Sequence, residues 1–100
     1  MYVIIFRSKV RADAPAEAVA KGTRMYELGS AMPGFVSYKD FTSQDGESVS
    51  VVEFDSAEHL SAWREHPEHV EVQRWGREHL FESYQIQVCE LVRDSRWQRT

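Results

Sequence analysis

The sequence predicts an α+β domain of ferredoxin-like form: a split β-α-β arrangement with a four-stranded antiparallel sheet and its helices on one face. Three observations lead there. Runs rich in β-branched and aromatic residues at 2–10, 35–42, 48–54 and 84–92 read as strands. Gln44-Asp45-Gly46 is a strong turn signal that joins the second and third of them as a hairpin. Helical patterns fill the other two gaps, so right-handed crossovers around the hairpin give the split topology. The 100 residues make a single domain, 1–92, with a modest core and a polar C-terminal tail, 93–100, expected to be partly disordered in a monomer.

Each element has its own signals. Tyr2 to Phe6 (YVIIF) is continuously apolar, as in a strand covered on both faces. Asp13-Ala14-Pro15 reads as an N-cap with proline just inside a helix, and Val19, Met25, Tyr26, Leu28 and Met32 keep helical spacing up to Pro33-Gly34. Gly22 and Gly29 fall inside that helix at a penalty of roughly 1 kcal/mol each, either because a neighbour comes close or because they are tolerated. Phe35 to Thr42 alternates, and Ser48 to Phe54 returns. In the last strand Tyr84, Ile86, Val88 and Val92 point one way, with Gln85, Gln87, Cys89 and Leu91 the other.

Residues 53–81, EFDSAEHLSAWREHPEHVEVQRWGREHLF, hold all four histidines and two of the three tryptophans. Asp55 with Glu58 reads as a capping pair opening a short helix whose Ala57, Leu60 and Trp63 share a face. Pro67 cannot lie inside that helix, so it ends near His66, and Pro67 opens a second one with His66 near its N-cap. His69, Val72, Gln73, Gly76 and Leu80 then share a face. A broken helix carrying Trp, His and Gln beside a glycine is either a packed corner or a pocket wall. Function is expected here.

Bulk properties exclude several classes. A net charge of −4 and a pI near 5.5 argue against nucleic acid as the main partner. No apolar run approaches a membrane span, and the N-terminus lacks a signal-peptide pattern. The lone Cys89 fits a reducing cytoplasm and reads as a small buried apolar residue. With helices on one sheet face, the other would leave more apolar surface wet than a small monomer tolerates, so a homodimer is expected.

The opening MYVIIF, the AMPGF after the first helix and the block FDSAEHLSAWREHPEHVEVQRWGRE resemble the antibiotic biosynthesis monooxygenase (ABM) domain family. The resemblance covers residues 1 to about 92. It implies a dimeric α+β barrel and a role among cofactor-independent quinone-forming monooxygenases, haem-degrading monooxygenases, isomerase-like or signal-processing proteins and members without demonstrated activity; a non-catalytic small-ligand-binding dimer is the alternative from another class. The haem-degrading branch carries an Asn in the first strand, a Trp in the second helical segment and a His ten residues later. Only the Trp carries over, as Trp63; the His position falls on Gln73 and the Asn position near Phe6 or Arg7, in a chain with no asparagine. His69, one turn before Gln73, is the remaining candidate for an axial ligand.

The cofactor-independent branch oxidises electron-rich phenols or anthrones whose anions pass an electron to O₂. It requires a dry pocket, a base and a group that stabilises negative charge. The candidates are Trp63 to stack on the ring, His69 as base and Arg7 for charge, with Phe6, His66, Gln73 and Tyr84 contacting substrate and Arg77 as an alternative to Arg7. Simpler roles stand beside these: Trp63 as a core anchor, His66 as a cap, Trp75 at a dimer interface, and His59 and His79 solvated. His66 and His69, separated by a helix break and without a cysteine or carboxylate pair nearby, give no metal site. The expectation is therefore a cytoplasmic homodimer that oxygenates a small aromatic metabolite without a tightly bound cofactor or metal.

Overall fold

The computed structural model describes residues 1–99. Its elements are β1 (Tyr2–Val10), α1 (Ala18–Ser30), β2 (Phe35–Thr42), β3 (Ser48–Phe54), α2 (Ala57–Arg64), α3 (Pro67–His79) and β4 (Phe81–Glu90). The strands form one sheet in the order β2-β3-β1-β4, all neighbours antiparallel, which is the ferredoxin-like α+β fold. Among the described residues no helix is long and apolar enough to cross a membrane.

Strand alternation sorts the side chains by face. Tyr2, Ile4, Val52 and Phe54 turn toward the helices and pack with Met25, Leu60 and Trp63, which makes the core a thin layer between sheet and helices. Phe54 is fully buried at its centre. The register sets Ile4 opposite Val52 on one side and Val88 on the other, so the helix-facing surface runs across β3, β1 and β4, buried at Val52 and exposed at Val88. β2 needs a correction to keep facing it. A register shift between Phe35 and Ser37 leaves Val36 without a partner in the ladder, so Phe35 and Tyr38 both reach the core despite their odd spacing.

Several local expectations shift. α1 starts at Ala18 with Glu17 at its N-cap and no side-chain cap, while Asp13 lies before the helix, paired with Arg11. α2 is capped one residue later than the Asp55–Glu58 pairing implies: Ser56 is extended and its Oγ accepts from His59 N–H, while Asp55 Oδ1 meets His59 Nδ1 at 2.6 Å. β4 begins three residues earlier than expected and ends at Glu90, which leaves Val92 outside the strand and exposed. Cys89 is exposed rather than buried, since it lies on the edge strand β4, which is exposed on both faces from Glu82 to Glu90. Residues 93–99 carry no helix or strand, and Thr100, the last residue of the expected tail, lies outside the described residues.

Candidate functional site

The break at Pro67 builds the site. In a continuous helix, residues 63 and 69 would lie about 120° apart around the axis and about 9 Å along it, too far to stack. Here α2 stops at Arg64, and Pro67 opens α3 with His66 Nδ1 accepting from Glu68 N–H at 3.1 Å. The change of direction folds the first turn of α3 back over α2. His69 then lies flat on the Trp63 indole, ring centroids 3.9 Å apart and planes within 13°.

One hydrogen bond fixes the chemistry of that imidazole. His69 Nδ1 is 3.1 Å from the Trp63 carbonyl oxygen, which can only accept, so Nδ1 carries the proton and Nε2 carries the lone pair. Burial pushes the His69 pKa below its ordinary 6.5; the carbonyl bond opposes the shift and the nearby His66 adds to it. His69 is therefore a neutral, oriented base at pH 7.

The stacked pair forms one wall of a cavity of about 300 Å³ between the sheet and the three helices. Ile4, Phe6, Val52 and Tyr38 supply its floor, Tyr84, Ile86 and Val88 its β4 side, and Lys21, Gly22 and Met25 its α1 side. Two glycines set its walls. A Cβ at Gly76 would sit 2.6 Å from the Phe81 ring, so only glycine lets α3 approach the start of β4. A Cβ at Gly29 would sit 3.2 Å from Trp63 Cζ2, which shows that Gly29 serves close approach. Gly22 has nothing within 4 Å and faces the open cavity.

Aromatic edges line the β4 end, with Phe6 5.5 Å from Phe81 and 5.6 Å from Tyr84 between ring centroids. Arg77 Nη1 donates to the Tyr84 hydroxyl at 3.2 Å. Burial, reinforced by the charge of Asp40, pushes the Tyr38 hydroxyl up, so it remains a protonated donor. Among the described residues no group of three or more His, Cys, Asp or Glu side chains is placed to hold a metal.

The structure brings together Phe6, Trp63, His69, Gln73 and Tyr84 around this one cavity. Arg7 is elsewhere. It follows Phe6 in β1, so it projects from the opposite face, where its guanidinium binds Glu47 at 3.1 Å. His66 is also outside the cavity lining, its Nδ1 occupied as the α3 cap. Trp75 lines the cavity with the Lys21 ammonium 4.8 Å from its ring centroid. Sequence reasoning missed Lys21 and Arg64, although the spacing of Ala18, Lys21, Gly22 and Met25 marks one face of α1.

Comparisons with known proteins agree with this architecture. YqjZ, an uncharacterised protein of Bacillus subtilis strain 168, is 30% identical over 97 residues, 97% of this chain and 84% of the relative. The structure of Rv0793 from Mycobacterium tuberculosis superposes with a TM-score of 0.82 at 24% identity, covering 95% of this chain and 98% of that one. SnoaB from Streptomyces nogalater, a cofactor-independent oxygenase, superposes with a TM-score of 0.76 at 16% identity, covering 93% and 94%. At these identities the two superpositions show a shared fold. The sequence model of the antibiotic biosynthesis monooxygenase family matches residues 1–75, three quarters of the chain, and the protein belongs to that family.

Proposed function

We propose that the protein is a monooxygenase that oxidises a small electron-rich phenol or hydroquinone-like aromatic with O₂, without a tightly bound cofactor. The observation that carries this reading is the His69–Trp63 pair: a neutral imidazole of fixed tautomer at the wall of an apolar, aromatic-lined cavity. The cavity volume lies at the lower end of the roughly 300–1,000 Å³ typical of small-molecule sites, which suits a compact aromatic. The family membership and the fold shared with a cofactor-independent oxygenase support the same direction.

In this mechanism the substrate ring lies among Phe6, Phe81 and Tyr84, and His69 Nε2 removes its acidic proton. The resulting anion passes one electron to O₂, and the radical and superoxide combine into a peroxide at the ring carbon. Return of the proton from His69 gives the hydroperoxide. Loss of water then breaks the O–O bond and the remaining C–H bond, so one oxygen atom stays in the new carbonyl and the other leaves as water. The protein's share is to exclude bulk water, orient the ring and hold the proton. Gln73 and the Arg77-bound Tyr84 hydroxyl orient the substrate's oxygens.

The test is oxygen uptake with a hydroxyanthrone or a hydroquinone. His69→Ala is expected to lower kcat by roughly a hundredfold to ten-thousandfold, as removal of a general base does. Binding without oxygen uptake across such a panel would instead make the protein a non-catalytic small-ligand carrier. A second reading, haem binding, is favoured by one observation. An Nδ1–H donated to a backbone carbonyl is how protein imidazoles are commonly oriented toward a metal, so His69 Nε2 would be the atom to hold a haem iron. Haem would supply iron-based oxygen activation. A saturable Soret shift on titration, lost in His69→Ala, would establish that reading over the first.

The same proposal includes pairing. The helix-free sheet face presents Val3, Ile5, Val49 and Val51 half-buried and Phe41 exposed, a surface suited to a second copy of the chain. The single free cysteine on that face fits a reducing, cytoplasmic setting.

A further inference from the structure

The charges around the cavity are of one sign. Two permanently charged side chains line it, Lys21 from α1 and Arg64 from the end of α2, and no Asp or Glu does. This is unexpected in a chain with 16 acidic and 12 basic residues. Neither cation forms an ion pair among the described residues, whereas Arg24 on α1 and Arg74 on α3 are paired with Glu68 and Glu71. Lys21 rests instead on the Trp75 ring, a weaker interaction that an oxyanion would displace. Asp40, which reaches the sheet side, is held by the Ser50 hydroxyl. Low-dielectric walls around unpaired cations concentrate positive potential inside the cavity.

We propose that the cavity selects an aromatic acid, with Lys21 and Arg64 recognising its carboxylate while the ring occupies the apolar interior. The proposal rests on the reading of this cavity as an aromatic-ligand site. It adds the ligand's charge and the two residues that read it. Both sit on the helical side, and the aromatic edges of Phe6, Phe81 and Tyr84 lie toward β4. The acid group therefore enters against the helices, with the ring directed along the sheet. Arg64 directly follows Trp63, so the residue that anchors the wall also fixes the start of this cation.

The experiment is calorimetric titration of naphthoate and of the uncharged naphthamide into the wild-type protein, Lys21→Gln, Arg64→Gln and Lys21→Arg. Naphthoate is expected to bind roughly tenfold more tightly than the amide, the scale of one charge-assisted contact. Each glutamine variant should lose most of that preference without changing its affinity for the amide, and Lys21→Arg should keep it. Added salt should shrink the preference in the wild type. Equal binding of the two ligands would overturn this proposal and leave the aromatic site standing. A preference that survives both glutamine substitutions would overturn the assignment to Lys21 and Arg64. Failure of both ligands to bind would overturn the aromatic reading of the cavity, and this proposal with it.

Discussion

The two faces of the sheet are built from alternate residues of the same strands, yet they handle polar groups in opposite ways. Both are apolar at their centres: Ile4, Phe6 and Val52 on the helix side, Val3, Ile5 and Val51 on the other. On the helix-free face Arg7 closes on Glu47 and Ser37 Oγ donates to Glu53, so these polar groups satisfy one another within the surface. On the helix side His69 has one ring nitrogen engaged and the other oriented by it, and Lys21 and Arg64 meet no carboxylate among the described residues. Hydrophobicity therefore does not by itself tell the two faces apart. The difference lies in polar groups that are fixed in place but retain capacity to bond.

If that comparison is right, substitutions on the two faces should fail in different ways. The largest effect belongs to Trp63→Ala, which removes a 3% exposed indole from the core; thermal or urea unfolding should show a loss of roughly 3–5 kcal/mol. Ile5→Glu, on the other face, should leave a folded chain but weaken self-association by at least about tenfold, read by sedimentation. An Ile5→Glu protein as destabilised as Trp63→Ala would break the distinction between the faces.

A smaller effect is the pH response. The folded pKa of His69 is lowered, so below its ordinary 6.5 the unfolded chain takes up a proton that the folded chain resists. Stability should therefore fall as pH drops from 6.5 toward the folded value, and His69→Gln should flatten that slope in melts across the same range. The smallest effect is expected at Gly22, whose replacement by alanine meets nothing within 4 Å and should raise stability by up to about 1 kcal/mol. Paired melts should show Gly29→Ala gaining less, because its new methyl presses on Trp63.

Much of the fold was legible because its signals are local. The Asp45-Gly46 turn, the returning strand β3 and the proline that divides α2 from α3 each act within a few residues, and each appears where expected. Arg7 shows where local signals end. Tyr2 to Phe6 is apolar at odd and even positions alike, so nothing in the pattern says which parity meets the helices. A one-residue difference then moves a cation from the site to the opposite face. Cys89 was misplaced for a related reason: an apolar run suggests burial, but β4 ends up at the sheet edge, exposed on both faces.

The sequence by itself determined where the chain turns, which segments are strands and helices, and that Trp63, His69 and Gln73 belong to one region around Pro67. Tertiary structure decided the rest. It closed α1 against the broken helix, laid His69 on Trp63 and chose its tautomer through one carbonyl. It also brought Lys21 and Arg64, 43 positions apart, to one cavity. The physical reason is range. Caps, turns and periodicity act over a few residues, whereas stacking, desolvation and unpaired charge depend on which distant surfaces meet.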